Sequence, residues 1–281
     1  MKTVSSRDNP TVKSLKLLLS NPRQQRDTGK TVLEGPHLLA AALERNIYPD
    51  LVAVSENART HPEVAALLAR LAGTETLVLP DSLLRSLSEL ASPLGILARI
   101  AVPNHSADPA SAVPINAADT ASAVLPAPSF MPAGDCLLLD AVQDAGNVGA
   151  LLRTAAAAGV SDVLLGPGCA GAWTPRVLRS AQGAHFALKI REQVDLAAIL
   201  TKHPGQSVAA IAHAGKSLYE LDCAPPTAWL FGNEGAGIAP ELVALTTRQA
   251  TIPLATGCES LNVAAAAAIC LFEMRRQRLS S

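Results

Sequence analysis

Apolar positions fall in short runs that alternate with helical periods along most of the chain. "TVLEG", "DLVAVSEN", "TETLVLP" and "GILARIAVP" read as strands, with helical spacing in "PHLLAAALERN" and "HPEVAALLARLA" between them. This alternation predicts a small α/β domain over residues 1–103. From residue 134 it resumes, with strands at "CLLLD", "DVLLG", "HFALKI", "SVAAIAHA", "AWLFG" and "QATIPL" and a closing helix in "LNVAAAAAICLFEMRRQR". Strands this apolar are covered on both faces, which predicts a mostly parallel sheet in a second α/β domain, 134–281. Residues 104–133 hold no Lys or Arg, are rich in Ala, Pro and Ser, and keep no period, so they read as a linker.

Apolar residues make up 49% of the 281, enough for a sizeable core. The net charge of −1 hides an asymmetry: Lys2, Arg7, Lys13, Lys16, Arg23, Arg26 and Lys30 oppose only Asp8 and Asp27 in the first thirty residues, a local +5. Such an arm is the footprint of a polyanion partner, or else a solvated helix face plus a turn. The five cysteines lack zinc-type spacing and read as reduced. The N-terminal stretch shows no signal-peptide pattern and no apolar run is long enough to span a bilayer, so a cytoplasmic setting without a membrane partner is expected.

Three polar junctions follow apolar strands: "DAVQDAGNVGALLR", "FGNEGAGIAPE" and "IPLATGCESLN". In an open parallel sheet, ligands bind beyond the carboxyl ends of the strands, so the three should meet. In the first, Asn147 occupies an N-cap position. Arg153 follows six residues on, about 9 Å along a helix axis, leaning back over the bare Gly149 toward the loop mouth. Alternatively, Arg153 is an ordinary surface residue of an amphipathic helix. The second junction sets Glu234 among glycines that allow close backbone approach to a ligand. In the third, Ser260 reads as the N-cap of the last helix and Asn262 as a first-turn amide in need of a partner.

One further loop, "GPGCAG", is formally a GxGxxG after a strand, but "AWTP" does not open a helix on its third glycine. The strand ending at Ile190 offers only Glu192 as a ribose-binding acid, so a dinucleotide site is disfavoured. GxSxG, Walker A and HExxH patterns are missing, and the six histidines show no metal-ligand spacing.

Taken together, the three junctions resemble the SpoU (TrmH-type) branch of the SPOUT RNA methyltransferases. Asn147, Gly149, Arg153 and Ala155 match the first motif, Glu234 the second, and Ile252, Pro253, Ser260, Leu261, Asn262 and Val263 the third, in order and spacing. The N-terminal "VSSRDNPTVKSLKLLL" and "TVLEGPHLLAAAL" are similar to the RNA substrate-binding domain often fused to that family. Departures are the long linker and Ala145, where the family usually carries proline. The resemblance implies a C-terminal sheet with a deep trefoil knot, a homodimer formed through the C-terminal domain, and S-adenosylmethionine as cofactor, with no metal. It also implies methylation of a ribose 2′-hydroxyl in structured RNA. Gly232, Ile252 and Leu261 would contact the cofactor; Arg153, Asn147, Glu234, Ser260 and Asn262 would form the catalytic site.

A ribose hydroxyl is a poor nucleophile near neutral pH, and arginine stays protonated in proteins. Arg153 is therefore expected to stabilise the developing oxyanion and clamp the adjacent phosphate, although proton uptake by arginine itself is the other reading. Lys2, Arg7, Lys13, Lys16, Arg23, Arg26 and Lys30 would position RNA through phosphates. The first 45 residues contain no aromatic residue, which argues against a base-stacking platform. Ribosomal RNA is favoured over tRNA. Two other readings are a catalytically silent RNA-binding relative and a nicotinamide enzyme.

Overall fold

The computed structural model describes residues 1–88, 90, 93–103, 130–213 and 215–279. The expected linker, 104–133, lies outside them except for 130–133. The chain divides into two compact units, Met1–Pro103 with Trp173–Phe186, and Asn104–Ala172 with Ala187–Ser281.

In the first unit, β1 (Lys2–Thr3) is followed by α1 (Pro10–Ser20), α2 (Pro22–Thr28), β2 (Lys30–Glu34), α3 (Pro36–Glu44), β3 (Leu51–Ser55), α4 (Pro62–Arg70), β4 (Glu75–Leu79), α5 (Asp81–Arg85) and β5 (Ile96–Ala101). The strands form a mixed sheet, β1-β4-β3-β5-β2, in which β5 runs antiparallel to both its neighbours. The basic arm is not a free tail. Asn9 accepts from the Thr11 and Val12 amides and Pro10 sets the first helical φ, so a helix must start there. Val12, Leu15, Leu18 and Leu19 then form one helix face, buried with Val32, Leu51 and Leu77. Asn21 ends this helix and caps the next through the Arg23 amide. Lys13 and Lys16 are left on the exposed side.

The second segment of this unit contains the helix α7 (Pro175–Ala181). Thr31 donates to the Trp173 carbonyl at 2.8 Å, and the buried Glu34 carboxylate accepts from Arg179 at 3.1 Å and from Ser88. The strand expected at "HFALKI" is correspondingly short. Residues Ala184–Ala187 form a 3-10 turn in which His185 packs on Trp173 with ring centroids 5.0 Å apart. Only β8 (Lys189–Arg191) joins a sheet, in the second unit.

The second unit carries β6 (Cys136–Leu139), α6 (Ala145–Ala158), β7 (Asp162–Leu165), β8, α8 (Leu196–Lys202), β9 (Gln206–Ala210), β10 (Lys216–Ser217), β11 (Thr227–Phe231), α9 (Pro240–Leu245), β12 (Arg248–Thr251) and α10 (Val263–Leu279). Among the described residues its sheet has seven strands, β10-β12-β9-β11-β6-β7-β8, and every pairing is parallel. On one face, Leu138, Ala228 and Leu230 pack with Leu196, Ile199 and Leu200 of α8 and Leu242 of α9. On β11 the intervening Trp229 is fully buried and donates its indole N–H to Met274 of α10, which packs along α6. Phe130 and Met131, from the end of the expected linker, pack against the first of these faces. Strand order moves from β6 through β7 to β8 and then returns to the other side of β6, so β6 and β11 flank the point where the order reverses. That is where an open α/β sheet leaves a crevice.

Candidate active site

The three polar junctions converge beyond the carboxyl ends of β6, β11 and β12. The loops after β6 and β11 are tied first by the main chain, the Asp140 amide donating to the Phe231 carbonyl at 2.9 Å. Two side chains then lock them. Asp140 accepts from the Ala239 amide at 2.8 Å. Asn233 donates to the Ala141 carbonyl at 2.8 Å while its oxygen accepts from the Gly235 and Ala236 amides. Ala141 takes a left-handed φ of 51° at this point.

The loop after β11 closes tightly. Asn233 and Gly237 exchange main-chain hydrogen bonds of 2.9 and 3.0 Å, with Gly237 at φ 74°. A Cβ on Gly232 would stand 2.4 Å from the Gly237 carbonyl, so no larger residue fits without reshaping the turn.

Asp144, not Asn147, caps α6: its carboxylate accepts from the Asn147 amide at 2.8 Å. A carboxylate also suits the positive end of the helix dipole, which explains the change of cap. The Asn147 side chain is thereby free, and it donates to the Glu234 carboxylate at 2.8 Å. The cap of the last helix also moves. Asn262 rather than Ser260 accepts from the first-turn amides, Ala264 at 2.9 Å and Ala265 at 3.3 Å, because α10 begins at Val263 and places Ser260 too early. The Asn262 amide finds its partner in the Asn147 oxygen at 2.9 Å. Partial burial opposes the charge on Glu234, but hydrogen bonds from Asn147 and from nearby main-chain amides outweigh it and hold the carboxyl below the usual glutamate range.

Beside this chain lies a cavity of about 710 Å³, lined by Phe231, Gly232, Ile238, Ile252, Leu254 and Leu261 among others, with Glu234, Ser260 and Asn262 on its polar side. Its size is that of a small-molecule site. Gly232, Ile252 and Leu261, the residues expected to hold a cofactor, all line it. Asn147, Glu234 and Asn262 are brought together. Ser260 is exposed on the cavity wall. Arg153 is exposed on α6, two turns from Asn147, and takes no hydrogen-bond or ion-pair partner among the described residues. Asp140, Asp144 and Asn233 were not singled out from sequence. The D-x-x-N spacing before the apolar helix was a legible cap signal for Asp144, whereas the roles of Asp140 and Asn233 depend on contacts made across strands. The "GPGCAG" loop opens no helix on its glycines. α7 starts later, at Pro175, and Glu192 accepts from the Ala172 amide at 2.8 Å.

Of the arm's cations, Lys13, Arg23 and Lys30 lie against Asp8, Asp27 and Asp50. Lys2, Arg7, Lys16 and Arg26 are exposed with no acidic partner among the described residues.

Fold and site define an α/β protein with a small-molecule cavity beyond the carboxyl ends of β9, β11 and β12 of a parallel sheet, beside a row of hydrogen-bonded polar side chains. Residues 136–272 match the SpoU rRNA Methylase family, and residues 9–98 match the MRM3-like substrate binding domain. The chain is 30% identical to an uncharacterized tRNA/rRNA methyltransferase of Synechocystis, over 98% of this chain and 94% of that one. It is also 30% identical to the 23S rRNA (guanosine(2553)-2′-O)-methyltransferase RlmP of Bacillus subtilis, over 98% and 100%. An AdoMet-bound rRNA methyltransferase from Sinorhizobium meliloti superposes with a TM-score of 0.79 at 26% identity, covering 98% of this chain and 97% of that one. The chain belongs to the SpoU rRNA methylase family. Membership bears out the expected class, a methyltransferase with S-adenosylmethionine as its cofactor.

Proposed function

We propose that the protein transfers the methyl group of S-adenosylmethionine to a ribose 2′-hydroxyl of structured RNA, ribosomal RNA in preference to tRNA. The observation that carries this reading is the hydrogen-bonded chain Asn262–Asn147–Glu234 set against the 710 Å³ cavity. The cavity suits the cofactor: Ile252, Leu254 and Leu261 offer an apolar slot, and the bare main chain at Gly232 offers amide and carbonyl groups to a polar edge. Gly232, Ile252 and Leu261 would hold it there. When bound, S-adenosylmethionine supplies a methyl group already activated on a sulfonium.

The chain's own residues supply the rest. Arg153 carries a permanent positive charge and a planar donor fork, suited to a backbone phosphate and to the oxyanion that develops as the hydroxyl loses its proton. Glu234, Asn147 and Asn262 orient the reacting groups, and Ser260 offers a hydroxyl on the cavity wall. Residues 1–103 act as the substrate-binding domain, linked through 104–133 to a methyltransferase domain, 134–281. The exposed arm cations contact RNA phosphates and so position the substrate without reading its sequence.

In the same reading the loops around the cavity form a deep trefoil knot, an exception to the usual absence of threaded chains. Two copies pair through the C-terminal domain. Support comes from an exposed face of small and apolar residues on the paired helices, Ala157 on α6 with Ala265 and Phe272 on α10, the last 46% exposed. The protein works in the cytoplasm; among the described residues no helix is long and apolar enough to cross a membrane.

Labelled methyl transfer to bulk rRNA and, separately, to tRNA tests the reading, using wild type and Arg153→Ala. Label in rRNA that disappears in the variant is the expected result. Label in tRNA alone would move the substrate assignment, and failure to bind S-adenosylmethionine would overturn the reading.

A further inference from the structure

Main-chain amides can only donate, and this settles the direction of every hydrogen bond in the site. The Ala264 and Ala265 amides both point at one atom of the Asn262 side chain, which must therefore be its oxygen. The other atom is the NH2 group, and it faces Asn147 at 2.9 Å, so the atom met there is the Asn147 oxygen. The NH2 of Asn147 is then the group that meets Glu234 at 2.8 Å. Amide orientation is usually an assignment, but here two main-chain donors impose it.

We propose that Asn262 is a positioning residue: by capping α10 with its oxygen it is forced to donate to Asn147, which is forced in turn to donate to Glu234, so that the carboxylate is fixed as an acceptor beside the cavity. The start of the last helix thus sets the state of an acid on a loop far away in sequence. The Asp144 amide adds a longer contact to the same carboxylate oxygen at 3.4 Å. Two donors on one carboxylate oxygen favour the ionised form of Glu234 over the protonated one, so the chain of donors stabilises a negative charge beside the cavity. This deepens the methyltransferase reading and rests on it for the chemistry, while the chain of donors stands on geometry alone.

Direction makes the proposal testable with isosteric changes. Asn262→Asp keeps the helix cap, since aspartate caps as well as asparagine. It removes the donor, and two carboxylates then compete for one Asn147 NH2. Glu234→Gln supplies the missing donor from the other end: Asn147 turns over, gives its NH2 to residue 262, and receives one from residue 234. Asn147→Asp offers a second route, because it still accepts from Asn262 but confronts Glu234 with a like charge that Glu234→Gln removes.

The experiment is a double-mutant cycle on the full chain, with melting temperature, S-adenosylmethionine affinity and turnover on RNA measured for each protein. Asn262→Asp should lower the melting temperature by several degrees and Glu234→Gln should lower it by less, because glutamine still accepts from Asn147. The double variant should regain most of the loss. Turnover of Asn262→Asp should fall by roughly tenfold or more, the usual scale for losing a hydrogen bond to a charged group, with a much smaller change in KM for S-adenosylmethionine. The double variant should recover stability without recovering turnover, because the carboxylate is gone. Additive effects on melting, in both the Asn262→Asp and the Asn147→Asp cycles, would overturn the proposal. So would wild-type turnover in Asn262→Asp. If wild type methylates no RNA, the functional reading fails, and the melting cycle still decides the donor chain.

Discussion

Side chains of two asparagines and one glutamate, from the first turn of α6, the loop after β11 and the residue before α10, share a single row of hydrogen bonds. Because Glu234 is held below the usual glutamate range, it contributes stability that is present above the ordinary carboxylate pKa and lost as pH falls through its own lower value. The melting-temperature difference between wild type and Glu234→Gln should therefore stay constant from pH 8 to about 5 and change only below about 4.3, the ordinary glutamate value. A difference that already changes at pH 6 in a melting series would contradict this environment for Glu234. Gly232→Ala forces a Cβ into the Gly237 carbonyl, so S-adenosylmethionine affinity should drop by at least roughly tenfold, the cost of about 1.4 kcal/mol of loop distortion. Calorimetric titration measures it directly. Sequence named most of this site, because Asn147, Glu234 and Asn262 are polar residues placed where apolar strands end. It misplaced both caps. Asp144 and Asn147 are each good caps; the helix dipole favours the carboxylate, and the Glu234 loop, 87 residues further on, takes up the asparagine that is left free.

At the level of elements, the strand alternation was legible where strands are covered on both faces, as in β3, β6 and β11, whose residues are all buried; the two-residue β1 and β10, exposed or half-buried, carry no apolar run to read. Segments whose packing depends on distant partners were not. "HFALKI" has a strand's composition, yet His185 leaves the sheet to pack on Trp173. The basic arm read either as the footprint of a polyanion partner or as a solvated helix face plus a turn; its leucines bury one side, and the structure makes it two capped helices. Docking makes the arm's charges a fixed surface, and they divide into two groups. Lys13, Arg23 and Lys30 already face acids, whereas Lys2, Arg7, Lys16 and Arg26 do not. Replacing the second group by alanine should flatten the dependence of log affinity on log salt, by about 0.9 for each lost phosphate contact with a duplex. Replacing Lys13 and Arg23 should flatten it less. Filter binding of structured RNA over a salt series separates the two outcomes, and equal slopes for both sets would refute the division.

Within the second unit, β6 and β11 are neighbours and β12 lies one strand beyond, across β9, and parallel pairing among the described strands puts all three motif loops at the same edge of the sheet. Parallel pairing was legible from the unbroken apolar runs. Strand order was not, because it depends on which strands meet, and a composition shared by β6, β9 and β11 cannot say. The exposed Phe272 on α10 is the most telling element of the proposed dimer face. Phe272→Glu should convert a dimer to a monomer in light scattering and reduce methyl transfer. A wild-type chain that is already monomeric would remove the dimer from the account. The central claim is about where the methyl group goes. Incubate ribosomal RNA with labelled S-adenosylmethionine and the wild-type protein, digest to nucleosides, and identify the labelled product by mass spectrometry. A ribose 2′-O-methylated nucleoside, absent when Arg153→Ala is used, is the predicted result; label on a base, or the same ribose label with Arg153→Ala, would contradict it.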